Sequence, residues 1–307
     1  MQFENKFIGL TVKEILTNEL GFSKRAITSL KNRPDGILIN GEHATVRAII
    51  KENDILTINL DDKGDNSEKL VPSLTLPDVI YEDEDIIAVN KPPFMPTHQS
   101  QGHFYDTLAN SLAYYFSLKE RPFVFRSINR LDKNTSGIVL VAKSRLASAK
   151  LSNQMKNNGI SKSYIVILQG ELKQDGGTIE THIRRKEKSI ILREVCDKCD
   201  DSKIAITSYK VLAKNNGLSL VLAIPVTGRT HQLRVHFAHL GSPILGDDLY
   251  GKKSDYINRH ALHAVSLRFD HPNSNEKFEL FAPLPLDMQS IIEQYFGKDI
   301  IEYGRKN

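Results

Sequence analysis

Short runs of β-branched and other apolar residues recur from Ile80 onward, and their number limits the possible folds more than any other feature of the sequence. Helical patterns lie between and after them, but these are fewer. Many strands with fewer helices are typical of an α+β domain, and we expect its sheet to be mixed and mainly antiparallel. We predict strands over 86–89, 137–142, 164–168, 204–211 and 218–224, and helices over 106–116, 144–156, 230–240 and 286–296.

The first 60 residues follow a different pattern, which predicts two short helices followed by short strands. Apolar residues at helical spacing from Val12 to Leu20 indicate the first helix, and Gly21 ends it. Ser23 can cap the second helix. The dipeptide Asn40-Gly41 after an apolar run then predicts a hairpin. These elements form a small α/β module.

The length of the chain also favours two domains. It has 307 residues, and single hydrophobic cores usually split above roughly 250–300 residues. Between Asp61 and Pro77 the sequence becomes polar and is then interrupted by prolines. We therefore expect the N-terminal module at 1–62, a linker at 63–77 and a large domain at 78–307.

Charge and cysteine content limit the partners and the compartment. The net charge of +4 suits an anionic partner but does not identify one. No apolar run reaches the ~18 residues of a membrane span, and the first residues lack the apolar segment of a signal peptide. The two cysteines do not make a disulfide framework. We expect a cytoplasmic protein with no membrane partner.

The segment INRLDKNTSGIVLVAKS, residues 128–144, places a single carboxylate, Asp132, shortly before an apolar strand. This acid could be a turn residue, half of a salt bridge, a metal ligand or a nucleophile. Glycosidase chemistry would need a second carboxylate across the same bond. No such acid stands near Asp132 in sequence, although distant residues could supply one in the fold. The segment alone leaves these alternatives open.

Other segments place polar side chains beside predicted strands. Arg229 lies at a strand-to-helix junction, where it is well placed to meet a loop acid and to favour its ionised form. Tyr164 follows Lys162 at the start of a strand; most strand tyrosines are packing residues, but an aromatic beside a cation can also stack on an unpaired base. A proline-rich loop carries Lys91 and His98.

The histidines and cysteines do not follow a metal-binding pattern. His231, His236 and His239 are separated by five and three residues, which does not place all three on one helical face. Cys196 and Cys199 lack a second pair of ligands at zinc-finger spacing. We therefore expect no metal site.

Taken together, five segments resemble those of RluA-family pseudouridine synthases: NRLDKNTSG, KPPFMPTH, KSYIVILQG, GRTHQLRVHFAHLGSPILGDDLYG and HALHAVSLRFDHP. This resemblance covers roughly residues 80–296, and residues 11–60 resemble a degenerate S4-type RNA-binding domain. It implies an α+β catalytic domain of pseudouridine synthase type that isomerises uridine in structured RNA without a cofactor or a metal. The implied partner is RNA, with ribosomal RNA favoured over transfer RNA, and we expect a monomer.

The resemblance also assigns roles to individual residues. The nucleophilic aspartate of the family matches Asp132, and the tyrosine that stacks on the target uracil, and is proposed to take the C5 proton, matches Tyr164. The arginine that pairs with the nucleophile matches Arg229. The arginine that holds the extruded nucleotide, or fills its vacancy, matches Arg130. The family commonly has histidine where this chain has Asn129, which puts any role of that histidine in doubt.

Basic residues near these segments are candidates for contact with RNA phosphates. We expect such contacts from Lys91 and Lys133, and from Lys24 and Arg25 on the second predicted helix. They would help to offset the few kcal/mol needed to flip the uridine out of its stack.

The alternative to an enzyme is a catalytically inactive RNA-binding protein that acts in ribosome assembly. The presence of Asp132, Tyr164 and Arg229 together favours the enzyme.

Overall fold

The computed structural model describes residues 1–60 and 70–297. Part of the predicted linker, 63–69, and the end of the predicted large domain, 298–307, lie outside the described residues. Within the described ranges the strands form two sheets, one of four strands and one of ten. No helix in these ranges is both long and apolar enough to cross a membrane.

The N-terminal module contains the smaller sheet. Its elements are β1 (Gln2–Glu4), α1 (Val12–Glu14) with a following π-helical turn (Ile15–Glu19), α2 (Lys24–Lys31), β2 (Ile37–Ile39), β3 (Glu42–His43) and β4 (Ile55–Ile58). The strand order is β1-β4-β2-β3. Ser23 caps α2 by accepting a hydrogen bond from the Ala26 N–H, as predicted. Asn40 and Gly41, in the turn between β2 and β3, have φ angles of 53° and 85°, as a two-residue hairpin turn requires.

The rest of the described chain forms the larger sheet and four helices. Its elements are β5 (Asp78–Glu82), β6 (Ile86–Lys91), α3 (Leu108–Ser117), β7 (Ser136–Ala142), α4 (Arg145–Lys156), β8 (Ser161–Gln169), β9 (Gly176–Arg185), β10 (Arg193–Cys196), β11 (Lys203–Asn215), β12 (Leu218–Pro225), α5 (Gln232–His239), β13 (Leu262–Asp270), β14 (Lys277–Phe281) and α6 (Leu286–Phe296).

The larger sheet is mixed and mainly antiparallel, which confirms the predicted α+β class. Its strand order is β10-β9-β11-β12-β8-β13-β7-β6-β5, with β14 paired to β13. Among its described strand pairs, only that of β13 with β7 is parallel. All seven residues of β7 are buried, as expected of a strand in the middle of a sheet that is covered on both faces.

Gly137 allows β7 and β13 to approach closely at the start of β7. Its φ is +115°, and a Cβ at this position would lie 2.2 Å from the carbonyl oxygen of Ala264 on β13. Ala264 also pairs with Tyr164 on β8. Gly137, in the segment after Asp132, and Tyr164 on β8 therefore lie next to the same residue of β13.

The two parts of the chain are in contact. Leu146 and Ala149 on α4 pack against the hydrophobic core of the N-terminal module. The described end of the predicted linker lies against α3, where Asn110 Nδ2 donates to the Val71 carbonyl at 2.7 Å and the Ser73 N–H donates to the Asn110 carbonyl at 3.1 Å.

Candidate active site

A cleft of about 970 Å³ opens where the loop before β7, the start of β8 and the segment leading into α5 meet. Its volume lies at the upper end of the range that encloses small-molecule ligands. Five of the predicted site residues line it: Asp132, Tyr164, Arg229, Arg130 and Lys133. The fold therefore brings together residues that are far apart in sequence.

Residues 129–136, which include the acid, are called the Asp132 loop here. The first residue of this loop, Asn129, is held through both the nitrogen and the oxygen of its side-chain amide. Asn129 Nδ2 donates to the Ile138 carbonyl at 3.0 Å, and its Oδ1 accepts from the Leu140 N–H at 2.9 Å. Asn129 is buried, so these bonds are not in competition with water. The residue thus anchors the loop to β7 through contacts that require no titratable group.

The middle of the Asp132 loop is held by two further side chains. Thr97 Oγ1 donates to the Leu131 carbonyl at 3.0 Å and accepts from the Leu131 N–H at 3.2 Å. Arg259 Nη1 donates to the Asn134 carbonyl at 3.1 Å. Asp287 fixes the Arg259 guanidinium through two bonds of 2.7 and 2.9 Å. The backbone on both sides of Asp132 is therefore set by buried groups.

Two neutral histidines hold the end of the Asp132 loop. His260 Nε2 lies 2.7 Å from Thr135 Oγ1, and His263 Nδ1 lies 3.0 Å from Ser136 Oγ. Burial lowers the pKa of His260 to about 3 and that of His263 to about 4. Both rings are therefore uncharged near neutral pH and position the loop without adding charge to it.

Lys91 is buried beneath the Asp132 loop, with 0% of its surface exposed. Its ammonium donates to the carbonyls of Pro92 and Met95 at 2.8 Å each and to that of Lys133 at 3.2 Å. Burial, and then the charge of the nearby Arg259, lower the pKa of Lys91 to about 7. The predicted phosphate contact is therefore wrong, because a buried amine that is already bound to three carbonyls cannot reach RNA. Lys91 instead supports the loop.

The arginine that faces Asp132 is Arg234, and this corrects the pairing predicted for Arg229. Arg234 Nη1 lies 3.6 Å from Asp132 Oδ2, whereas Arg229 Nε donates to the Ile204 carbonyl at 2.9 Å. The reason is geometric: α5 begins only at Gln232, so Arg229 precedes the helix and turns toward β11. Arg234 lies in the first turn of α5. The sequence did contain a signal, because the apolar residues of the predicted helix, Leu233, Phe237 and Leu240, leave Arg234 on a different face.

Arg234 is itself held by Asp247, a residue that the sequence prediction missed. Its Nε and Nη2 donate to the two oxygens of Asp247 at 2.7 Å each, and its guanidinium lies 5.1 Å from the centre of the Tyr250 ring. Burial works to raise the pKa of Asp247, but the bonds and charge of Arg234 outweigh it and lower that pKa. The distance from Arg234 to Asp132 exceeds a hydrogen bond. Arg234 therefore faces Asp132 without occupying its oxygen atoms, and the Asp132 side chain stays 33% exposed.

His231, also missed as a site residue, is the second nitrogen group facing Asp132. It adopts a left-handed conformation with φ 58° just before α5, and its Nε2 lies 3.7 Å from Asp132 Oδ2. Burial lowers the pKa of His231 although the charge of Asp132 opposes the shift. The Tyr250 hydroxyl lies 2.9 Å from His231 Nδ1 and accepts from the Arg193 N–H at 2.9 Å. This arrangement favours a neutral ring with its proton on Nε2, directed at Asp132.

Tyr164 lies on β8 beside Asp132 and is 8% exposed. Burial raises the pKa of its phenol, and the charge of Asp132 raises it further. The side chain is therefore a neutral phenol at physiological pH.

The remaining predicted residues are exposed. Arg130 and Lys133 lie at the cleft, where Lys133 Nζ is 3.2 Å from His103 Nε2. Lys24 and Arg25 are exposed on α2 of the N-terminal module and do not line the cleft.

Comparisons with known proteins agree on one family. The sequence profile of the family "RNA pseudouridylate synthase" matches residues 85–239. The chain is 38% identical over 284 residues to the "uncharacterized RNA pseudouridine synthase YjbO" of Bacillus subtilis (strain 168), covering 92% of this chain and 99% of that protein. It is 38% identical over 241 residues to the "ribosomal large subunit pseudouridine synthase C" of Rickettsia prowazekii (strain Madrid E), covering 78% and 75%.

Solved structures show the same likeness. The protein "Human RNA Pseudouridylate Synthase Domain Containing 1" superposes with a TM-score of 0.60 at 28% identity, over 75% of this chain and 95% of that one. The profile match includes Asp132, Tyr164 and Arg234 but ends before Asp247.

Proposed function

The chain belongs to the RluA family of RNA pseudouridine synthases, and on that premise we propose that Asp132 is the nucleophile that isomerises a flipped-out uridine in large-subunit ribosomal RNA. The observation that carries this proposal is the environment of Asp132. Its side chain is 33% exposed in the cleft, while the loop beneath it is held by buried hydrogen bonds. A nucleophile that is fixed before the substrate arrives needs little reorganisation during the reaction.

The charges around Asp132 fit a nucleophilic role. Arg234 at 3.6 Å and His231 at 3.7 Å face the carboxylate without forming short hydrogen bonds to it. Its lone pairs therefore remain available to attack the anomeric carbon of the ribose or C6 of the uracil ring. Either attack allows the N1 glycosidic bond to break and the ring to rejoin the ribose through C5.

Tyr164 supports the binding of the extruded base. Because burial and Asp132 raise the pKa of its phenol, the side chain meets the substrate uncharged, as a flat surface on which uracil can stack. A neutral phenol can accept the C5 proton of uracil only if its hydroxyl gives up its own proton in the same step. We therefore assign stacking as its first role.

RNA outside the cleft would be held by exposed cations. Arg130 and Lys133 at the cleft can contact the nucleotides beside the target, and we propose that residues 1–62 bind RNA through Lys24 and Arg25 in the manner of an S4-type domain. The relative from Rickettsia prowazekii is named for the large ribosomal subunit, and this supports ribosomal over transfer RNA as the substrate.

Mapping of pseudouridines tests the proposal. Ribosomal and transfer RNA would be probed by carbodiimide treatment and primer extension in cells that lack the protein and in cells complemented with wild type or Asp132→Asn. We expect at least one ribosomal site to vanish in the deletion and to return with wild type but not with Asp132→Asn.

The control is Asp248→Asn, which makes the same chemical change at an exposed residue that does not line the cleft, and which should restore every site. Restoration by Asp132→Asn would rule out the nucleophile, and loss of sites in transfer RNA alone would rule out the ribosomal substrate.

A further inference from the structure

The loop between β9 and β10, residues 186–192 and called the Ile190 loop here, exposes two adjacent large apolar side chains. Ile190 is 85% exposed and Ile191 is 59% exposed. Single exposed apolar residues are ordinary on protein surfaces. Two neighbours on the tip of one projecting loop are less so, and such surfaces often mark a binding site.

The Ile190 loop is ordered by its own hydrogen bonds. The Lys186 N–H donates to the Leu192 carbonyl at 3.0 Å and closes the loop. Ser189 Oγ accepts from the Ile191 N–H at 3.3 Å and from the Leu192 N–H at 2.9 Å. Both isoleucines are thus presented to solvent by a preformed backbone, and such a surface loses little conformational entropy when it binds a partner.

The charge around the two isoleucines suits a polyanion. Residues 184–193 contain five basic side chains and one acidic side chain, Glu187. Of the basic ones, Arg184 is paired with Glu194 at 2.9 Å, whereas Arg185, Lys186 and Lys188 are exposed. This combination of apolar tip and cationic flanks matches a strand of RNA, with its bases and phosphates, better than an apolar protein surface.

The Ile190 loop is also joined to the cleft. The Arg193 N–H, at the base of the loop, donates to the Tyr250 hydroxyl at 2.9 Å. That hydroxyl lies 2.9 Å from Nδ1 of His231, a residue that lines the cleft. Ile191 is two residues before Arg193, so the chain between them spans at most about 7 Å. The base of the Ile190 loop is therefore two hydrogen bonds away from a side chain that lines the cleft.

We propose that the Ile190 loop is an RNA-contacting element, in which Ile190 and Ile191 pack against the bases that lose a stacking partner when the uridine flips out. Apolar side chains, isoleucine among them, insert at base steps in other nucleic-acid complexes. The flanking cations hold the adjacent phosphates. The inference rests on the proposed function and adds a surface outside the catalytic cleft.

Binding to an unmodified transcript of bacterial large-subunit ribosomal RNA tests this role in the full-length protein. In Ile190→Ser/Ile191→Ser we expect Kd to rise at least tenfold with an unchanged salt dependence, because no charge is removed. The matched control is Leu118→Ser, whose side chain is also 59% exposed and lies outside the cleft; its Kd should stay within twofold of wild type. Thermal melting of each variant checks the fold.

A second variant separates the cations from the isoleucines. Lys186→Gln/Lys188→Gln should lower the slope of log K against log salt by roughly 1.4–1.8, since each lost phosphate contact lowers it by about 0.7–0.9. An unchanged Kd in the isoleucine variant would overturn the proposal, and a change in its sedimentation alone would assign the surface to a protein partner. Because Kd is measured without turnover, an active Asp132→Asn would refute the proposed nucleophile and leave this result standing.

Discussion

Two loops beside the cleft are ordered in opposite ways. The Asp132 loop is held by side chains that come from distant parts of the sequence, among them Thr97, Lys91 and Arg259. The Ile190 loop is held mainly by its own Ser189 and backbone. Its base is connected to the cleft through the bond from the Arg193 N–H to the Tyr250 hydroxyl, which in turn lies 2.9 Å from His231 Nδ1.

The difference fits the role proposed for each loop. The proposed nucleophile, Asp132, has to keep one position, and buried polar groups hold its loop from several sides. The proposed RNA-contacting surface needs only to be exposed and preformed. Changes in the Asp132 loop and its supports should therefore reduce turnover or stability, whereas changes in exposed RNA-binding elements should reduce affinity.

The largest effect is expected when the charge facing Asp132 is removed. We expect Arg234→Gln to lower the single-turnover rate at saturating RNA by about 100-fold or more, in the range seen when one stabilising donor is lost. Arg229→Gln should change this rate less than threefold, since its guanidinium binds the Ile204 carbonyl instead. Rapid-quench assays of pseudouridine formation measure both.

Arg234→Gln also leaves Asp247 buried without its partner, which is destabilising. Arg234→Lys is therefore a second variant: it retains the positive charge but cannot reproduce the bidentate contact, and it should recover part of the rate. Equal losses in the Arg229 and Arg234 variants would contradict the assignment of Arg234 as the arginine that acts on Asp132.

A matched pair of stability measurements compares the two loops directly. Asn129→Ala should lower the free energy of unfolding by about 1–3 kcal/mol, because it leaves the Ile138 carbonyl and the Leu140 N–H buried without partners. Ser189→Ala should lower it by less than about 0.5 kcal/mol, since water can replace the hydroxyl in an exposed loop. Urea titrations of both variants would measure the difference. Similar losses would contradict the contrast between the loops.

The pH dependence of stability tests the support that Lys91 gives. The pKa of Lys91 is lowered to about 7 in the native state, against about 10.4 in an unfolded chain. Between these values the unfolded state binds more protons at this site, so the contribution of Lys91 makes the free energy of unfolding rise with pH. The free energy of unfolding of wild type minus that of Lys91→Met should therefore increase from pH 7 to pH 9. A constant difference in urea titrations would show that the three carbonyls keep the amine charged.

The smallest effect is expected in the N-terminal module. Lys24→Gln/Arg25→Gln should raise KM for RNA about two- to fivefold, reduce the salt dependence of binding and leave the single-turnover rate unchanged. Lys173→Gln/Lys277→Gln removes two exposed charges outside the cleft and serves as the control. A lower rate with unchanged KM would mean that α2 acts on the catalytic domain and does not bind RNA.

The regular elements of this protein can be predicted from local sequence. The nine predicted strands and helices of the large domain are all present, with ends that differ by a few residues. The cap at Ser23 and the turn at Asn40-Gly41 are present as well. These features depend on residues close together in the chain, whose periodicity and backbone preferences act locally. The identity of Asp132 and Tyr164 as cleft residues followed from the family resemblance.

Which charged groups come into contact depends on how distant segments pack. Arg229 and Arg234 are both near the start of one helix, and a shift of that start by two residues turned one away from Asp132 and the other toward it. The sequence predicts Lys91 to be a cation in an exposed loop, but in the fold it is buried and its ammonium donates to three backbone carbonyls. Asp247, which fixes Arg234, lies 115 residues beyond Asp132 in the sequence. Such pairings depend on how distant segments pack, because a contact within 4 Å is set by the position of whole elements and not by local sequence.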